Sequence, residues 1–548
     1  MALAFPALVC LAIWVVTRLW RVGRRDANLP PGPPTKPLIG NIHIMPLKDP
    51  QIKFTEWARQ YGDIYSLKAG PKTIVVLSGI DSVKEILDKR SATTADRPDS
   101  YMVQTITDGL HLAFGRYTEE WKKQRKAAHA ILSSTAVVNH VPIQMAESIQ
   151  LVYDLIQTPQ KFWEHTGRYS NSVIMSILFG KRCPRFDSYE SRSFYEINAL
   201  WFDALDLGNA KQPPVDFYPA LGPIVELIPE KWAPWKQLAR KIREKQHGLY
   251  FRLIEECEDR MDKAERGVEG AVLNDSFVEE VLKKRKEFDM SRELVGALAG
   301  VLLEGGSESS AAYIRFLMQF LSVYPEAQKK AQEEIDRVIG EDRAPRMEDL
   351  EDLPYVRAVV NEVYRMRPPV PLSIPHATTA DEEYKGYVLP TGTMIYQNLY
   401  GVFHDPNYFD EPEKFWPDRY ILTEHGTKPG VDDNGFRSTL VFGSGRRICP
   451  GADLGHNNAS LNTMNLLWAF NFSPAKDTNG NDISIDVNAY EVGIVPSPKF
   501  TCSITPRNKN IVEIVEREFA EATSVFERFE AGLAEEDREW VEERRKEL

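Results

Sequence analysis

The sequence predicts a mainly helical domain with small β-sheets near its start and end, preceded by a single N-terminal transmembrane helix. Three observations carry this. Ala2–Val16 (ALAFPALVCLAIWVV) is apolar throughout. Most of the body shows helical spacing in stretches of about ten to thirty residues. Only short β-branched runs, such as Thr73–Ser78 (TIVVLS), interrupt it.

The apolar run is short for a span, which needs roughly 20 residues. Thr17, Arg18, Leu19 and Trp20 complete it if Arg18 snorkels to the interface. A cleaved signal carries its positive charge before the apolar run. Here only the amino terminus precedes it, and Arg18, Arg21, Arg24 and Arg25 follow. The expectation is a retained anchor over residues 1–20 with the body in the cytosol. Residues 21–45 form a basic, proline-rich hinge, and NLPPGPPTKPLIGN (Asn28–Asn41) favours a stiff extended spacer.

The body, residues 46–506, shows clear punctuation. PEAQKKAQEEIDRVIG (Pro325–Gly340) has proline at a first helical turn, acid early and glycine at the stop. YKGYVLPTGTMIYQN (Tyr384–Asn398) predicts a hairpin turning at Pro390 and Gly392. Residues 507–548 predict a charged helical tail, solvated or loosely docked.

The 548 residues carry a net charge of -12, which argues against a general nucleic-acid binder. Five cysteines (Cys10, Cys183, Cys257, Cys449 and Cys502) are widely spaced, odd in number and without a CxxC pair. That excludes a disulfide framework or zinc site as the default and points to a reducing compartment.

One cysteine stands in a conspicuous loop, FGSGRRICPG (Phe442–Gly451). Gly445 and Gly451 let backbone approach a flat or bulky group. Pro450 stiffens the turn. Nearby amides can point at the sulfur, as donors do around iron-thiolate sites. Arg446 and Arg447 supply permanent charge suited to carboxylates, and Phe442 an apolar wall. Phe442, Gly445, Arg447, Cys449 and Gly451 fit the pattern FxxGxRxCxG. A chance match in a chain this long is on the order of 10⁻⁴ at average residue usage. The loop resembles the haem-binding loop of the cytochrome P450 superfamily, the haem-thiolate monooxygenases. The resemblance implies haem b with Cys449 as axial thiolate and Arg447 on a propionate.

Four further stretches match the family in order. EEWKKQRKAAH (Glu119–His129) resembles its WxxxR helix, placing Trp121 and Arg125 on a propionate. LLEGGSESSAAY (Leu302–Tyr313) resembles (A/G)Gx(D/E)T(T/S), with serine at 309 in place of threonine. It implies Glu308 and Ser309 as the catalytic acid–alcohol pair for proton delivery. Two glycines in a buried helix cost about 1 kcal/mol each against alanine, so a locally opened helix is expected there. NEVYR (Asn361–Arg365) resembles ExxR and implies that Glu362, Arg365 and Arg419 of FWPDRY form a structural cluster supporting the cysteine loop. In PLSIPHATTAD (Pro371–Asp381), His376 matches a propionate-binding position.

The resemblance spans about residues 28–506. It implies a cytochrome P450 fold and oxidation of a lipophilic small molecule by O2. Electrons would come from an NADPH-cytochrome P450 reductase docking near Lys122, Lys123 and Lys126. The anchor and hinge look like the endoplasmic-reticulum branch, with a cytosolic catalytic domain. VLLEGGSESSAA and IPHATTADEEYKGYVLPTGT resemble filamentous-fungal members of secondary-metabolite pathways. The implied substrate pocket draws on Tyr101–Phe114, Ser193–Leu207, Val370–Ile374 and Tyr490–Ile494. Within the family, xenobiotic detoxification and a reductase-independent isomerase or dehydratase are the alternatives. A membrane-anchored haem redox sensor and a secreted peroxygenase are the others.

Overall fold

The computed structural model describes residues 13–547 except 15, 19, 206–211, 269–272, 492–494, 496 and 497. Twelve of its α-helices have ten residues or more. They are α1 (Pro50–Tyr61), α2 (Glu119–Leu132), α3 (Val141–Gln157), α4 (Phe162–Phe179), α5 (Tyr189–Leu205) and α6 (Pro234–Glu265), followed by α7 (Arg292–Val323), α8 (Pro325–Val338), α9 (Pro354–Met366), α10 (Ala452–Ala469), α11 (Lys509–Phe526) and α12 (Glu535–Glu547). Eight strands accompany them: β1 (Ile64–Ala69), β2 (Lys72–Leu77), β3 (His376–Ala377), β4 (Glu382–Tyr384), β5 (Tyr387–Leu389), β6 (Met394–Gln397), β7 (Phe470–Pro474) and β8 (Cys502–Pro506). The four-stranded sheet has the order β1-β2-β6-β3, with β2 and β6 parallel. The other two sheets are the antiparallel pairs β4-β5 and β7-β8.

Helix α7 runs through the middle of the core. Its residues from Ala311 to Ser322 are all buried. Towards its N-terminal half, Ala297, Val301, Glu304, Gly305, Glu308 and Ser309 form one accessible stripe. Their spacing of three and four places them on a single helical face. The helix is continuous through both glycines, so the expected local opening does not occur. Gly306 earns its place by packing: a Cβ there would meet Ile174 Cγ1 at 2.7 Å.

The expected hairpin over Tyr384–Asn398 is not formed. β5 pairs back with β4 through Lys385 and Gly386, whose φ values are 50° and 80°. Two successive positive φ values make the tight turn that suits a strand pair. The turn at Pro390–Thr393 does exist, closed by Thr393 N–H on the Pro390 carbonyl at 3.0 Å, with Gly392 at φ 81°. It passes the chain from one sheet to another, and β6 joins β2 and β3.

The C-terminal tail is docked, not solvated. Ile511, Ile514, Val515, Phe519, Ala522 and Phe526 line the buried face of α11, which packs on α3 with Phe519 and Tyr153 rings 4.7 Å apart. Arg182 is 3% exposed and fixes the next turn. It bonds Glu147 at 3.0 Å and Glu530 at 3.0 Å, and its guanidinium lies 3.5 Å from the Phe526 ring centroid.

The proline-rich hinge is strapped to β1. Arg25 donates to the carbonyls of Gly32, Pro33 and Ser66, and Ser66 N–H donates to the Pro31 carbonyl at 2.7 Å. Most of the expected anchor, residues 1–12, 15 and 19, lies outside the described residues. Among the described residues, no helix is long and apolar enough to cross a membrane. Ile13, Trp14, Val16 and Trp20 are helical and each more than half exposed.

Candidate active site

The Cys449 loop is built by backbone bonds around glycines. Cys449 N–H donates to the Phe442 carbonyl at 2.9 Å, closing the loop. Gly443 and Gly445 have φ values of 93° and 61°. A Cβ on Gly445 would strike the Leu87 carbonyl oxygen at 2.0 Å, so only glycine fits there. Asp88 accepts from Gly445 N–H at 2.8 Å and pairs with Arg437 at 3.1 Å. Gln397 of β6 and Arg437 both donate to the Ser444 hydroxyl, at 3.1 and 2.9 Å. The loop is therefore held from the sheet, from the segment before it and from residues 87–88.

Cys449 stands just before the N-terminus of the 18-residue α10, whose cap is Gly451. Its side chain is accessible, yet the surrounding protein encloses it enough that burial pushes the thiol pKa up. The Gly451 N–H and the Arg125 charge act in the opposite direction. An amide, a cation and a helix N-terminus all favour negative charge on this sulfur.

Beside it lies a patch of positive charge. Arg447 donates to the carbonyls of Ala95, Leu112 and Gly115 at 2.6, 3.2 and 2.9 Å, and its guanidinium lies 4.1 Å from the Trp121 ring centroid. Burial pulls its pKa down, with Asp96 opposing and Arg125 adding to the fall. Trp121 Nε1–H is committed to the Leu112 carbonyl at 2.8 Å. Arg125 makes no hydrogen bond or ion pair with any described residue, and burial lowers its pKa. His376 Nδ1–H donates to the Thr94 carbonyl at 2.9 Å. Burial, with Arg97 and Arg447 nearby, pushes its pKa well below the usual histidine value.

Arg97 belongs to this patch and carried no sequence signal. It is 5% exposed and donates only to carbonyls, of Ala113, Ile374 and Pro375. Burial and the Arg447 charge both lower its pKa. Three guanidinium groups thus converge where Asp96 is the nearby carboxylate, itself bound by Arg116 and Tyr117 N–H. Arginine at a buried site normally pairs with an anion. Gly305, Gly443 and Gly451 add open space, since a Cβ on any of them would meet nothing within 4 Å. A flat group carrying two carboxylates and an iron suits this donor set: one sulfur, converging guanidiniums and glycine-lined room. The residues present fit haem.

On the α7 stripe, Glu308 pairs with Arg315 at 2.9 Å, and Arg315 lies 4.0 Å from the Trp163 ring centroid. Ser309 Oγ–H donates to the Gly305 carbonyl at 2.7 Å. One turn earlier, Glu304 accepts from His111 Nε2 at 3.0 Å, Gln246 Nε2 at 2.7 Å and Tyr250 O–H at 2.7 Å. The Phe114 and Trp201 rings, 6.0 Å apart, flank His111. Two of the expected pocket segments therefore meet here. Asp206 and Leu207, at the end of the second segment, and residues 492–494 of the expected Tyr490–Ile494 lining lie outside the described residues.

Glu362, Arg365 and Arg419 come together behind the loop. Glu362 bonds Arg365 at 2.8 and 2.9 Å and Arg419 at 3.2 Å. All three are 2% exposed or less. The remaining donors of Arg365 go to the carbonyls of Phe403, Pro412 and Lys414. Tyr364, on the same helix, stacks edge-on with Phe442 at 5.6 Å and lies 4.7 Å from Tyr313 of α7. An aromatic run thus joins loop, α9 and α7. Of the expected docking lysines, Lys122 pairs with Glu119 and Lys123 with Asp289, while Lys126 lies over Phe288.

The family model for cytochrome P450 matches residues 30–502. A cytochrome P450 monooxygenase of Armillaria gallica is 41% identical over 96% of this chain and 98% of its own length. One from Aspergillus niger is 37% identical, covering 95% of this chain and 97% of its own. A zebrafish cytochrome P450 solved with progesterone shares the fold at a TM-score of 0.66, with 24% identity, covering 84% of this chain and 99% of that one.

Proposed function

The chain belongs to the cytochrome P450 family of haem-thiolate oxidoreductases, and on that premise we propose that it is a membrane-anchored monooxygenase oxidising a lipophilic small molecule in fungal secondary metabolism. Electrons come from an NADPH-dependent cytochrome P450 reductase. The observation that carries the chemistry is the conjunction of Cys449, its Gly451 amide and the Arg97–Arg125–Arg447 patch. A haem bound there supplies oxygen activation, which a thiolate ligand promotes.

The chain's own residues do the rest. Arg125, Arg447 and Arg97 take up two carboxylates, with His376 beside them. Gly305 leaves space on the α7 face. Ser309 holds a hydroxyl proton at that face, resting on the Gly305 carbonyl. Glu308 shares its carboxylate with Arg315 and stays in position to exchange a proton with water on the stripe. Glu362, Arg365 and Arg419 hold the loop from behind.

The charge order after the apolar run and the exposed Trp14 and Trp20 support an anchor in the endoplasmic-reticulum membrane, with the body cytosolic. The fungal relatives support the pathway class. The test is turnover of purified protein reconstituted with a fungal reductase and NADPH, scored as oxygenated product from lipophilic candidates. Product that requires both partners is expected. Activity with a hydroperoxide alone, and none with reductase, contradicts the reading.

A further inference from the structure

Glu304 on α7 collects three donors from two other segments. His111 Nε2 lies 3.0 Å from its Oε2, and Gln246 Nε2 and Tyr250 O–H of α6 donate to Oε1, both at 2.7 Å. Gly300, one turn earlier, lets α6 come this close: a Cβ there would meet the Tyr250 ring at 2.3 Å. His111 Nδ1 accepts from the backbone N–H groups of Ala113 and Phe114, both at 3.2 Å. Those two donors fix the ring tautomer, with the proton on Nε2 and directed at Glu304. One neutral ring thus closes its own turn and bonds the acid on α7.

The turn it closes is the one that holds the buried arginines. Gly115 N–H donates to the His111 carbonyl at 2.6 Å, and a Cβ on Gly115 would meet that oxygen at 2.5 Å. Leu112 and Gly115 carbonyls accept from Arg447 at 3.2 and 2.9 Å, and the Ala113 carbonyl accepts from Arg97 at 2.8 Å. The Leu112 carbonyl also takes Trp121 Nε1–H at 2.8 Å, and the Leu110 carbonyl takes Gln124 Nε2 at 2.9 Å. Helix α2 therefore holds one side of the turn. Among the described residues, His111 to Glu304 is the hydrogen bond that ties the other side to α7. Three carbonyls aim two guanidiniums, and their positions follow that of the His111 ring.

We propose that Glu304 is a positioning residue for the carboxylate-binding arginines, acting through His111 and the turn of residues 110–115. The acid holds the ring, the ring holds the turn, and the turn's carbonyls hold Arg97 and Arg447. Glu304 also lies on the accessible α7 stripe, so the substrate side and the arginine patch share one hydrogen-bonded link. This deepens the monooxygenase reading and rests on it for one point, that Arg97 and Arg447 meet haem carboxylates.

The test is a double-mutant cycle on the haem-loaded full chain. It is read as the rate of haem transfer to excess apomyoglobin and as the reduction potential of the haem. Glu304→Ala is expected to speed haem release about tenfold, the scale of one hydrogen bond to a charged group. It should also lower the potential, because guanidiniums further from the carboxylates offset less negative charge near the iron. His111→Phe keeps an aromatic ring against Phe114 and Trp201 and should do the same. The double variant should release haem no faster than either single one, because residues acting in series are not additive. A wild-type rate in Glu304→Ala, or a change of about a hundredfold in the double variant, overturns the proposal. If Glu304→Ala does not fold, His111→Phe decides alone: wild-type release there removes the link through which the acid acts. Phe519→Ala separates positioning from general loss of stability. Its potential should equal that of wild type, and a fall matching that of Glu304→Ala overturns the positioning role. Arg447→Gln tests the underlying reading. Fast release there with wild-type release in Glu304→Ala overturns the proposal alone, whereas wild-type release in Arg447→Gln overturns both.

Discussion

At Cys449 an amide and the Arg125 charge favour the ionised form against burial, and Arg97 and Arg447 close by donate to carbonyls where carboxylates would be expected. That imbalance explains why Arg447 and Arg125 were legible in the sequence and Arg97 was not. The first two fall inside spaced motifs, whereas Arg97 lies in an unremarkable ADRPD stretch and joins the patch only through the fold. Glu304 and His111 are 193 positions apart in the chain, and no local pattern links them. Glu362 is the opposite case: its partner at i+3 was visible, and its burial between two arginines gives it weight. Removing one partner of a buried ion pair costs about 3–5 kcal/mol. Glu362→Ala is therefore expected to lower the unfolding free energy from urea titration by that amount and to be purified with little haem. A variant with wild-type stability and pigment would show that the cluster does not support the loop. Ser309→Ala removes the hydroxyl on the α7 face. It should raise peroxide released per NADPH consumed while leaving haem content unchanged, as measured by a coupled peroxidase assay.

The sequence places Leu302–Tyr313 in a buried helix, and α7 contains that stretch. Its continuity was not foreseen, because the cost assigned to Gly305 and Gly306 suggested a break. Gly306 instead buys close packing on Ile174, and Gly305 opens space on the other face. The hairpin misreading has a similar origin. Pro390 and Gly392 do make a turn, but the two-residue turn at Lys385–Gly386 captures β5 first. Strand pairing depends on which neighbour is nearer in space, and a turn signal alone does not state what it joins. The tail shows charge masking an amphipathic pattern. Ile511, Ile514, Val515, Phe519, Ala522 and Phe526 form a continuous apolar stripe, but the many acids between them suggested a solvated or only loosely docked helix. Phe519 is 6% exposed and packs on Tyr153. Truncating such a phenylalanine costs about 3–5 kcal/mol, so Phe519→Ala should lower the unfolding free energy by that much. A change under about 1 kcal/mol, within the range of ordinary surface substitutions, would mean that the tail contributes little.

Across the whole molecule, buried histidines set a pH limit on stability. Burial holds His404 and His376 well below the usual histidine pKa, and nearby arginines push the same way. In the unfolded chain each binds a proton below about pH 6.5, whereas in the folded chain each stays neutral. The unfolded state then holds more protons, so stability rises with pH there. Their contribution is complete above about pH 6.5 and is lost as the pH falls through that value, at up to about 1.4 kcal/mol per pH unit for each group. Urea midpoints measured from pH 7.5 down to 5.5 should fall steadily below pH 6.5, and a flat profile would contradict this. The architecture as a whole was legible because motif order and helix punctuation are local, while the patch, the α7 stripe and the docked tail arise from contacts between distant segments.

Haem binding and oxidation both rest on Cys449 as the iron ligand. The reduced carbon-monoxide difference spectrum of the purified full chain, recorded beside Cys449→Ala, tests it directly. The wild type should show the red-shifted Soret band of a thiolate-ligated haem, and the alanine variant should lose it. A wild-type band at the position given by neutral imidazole, or an alanine variant that keeps the thiolate band, would contradict the account.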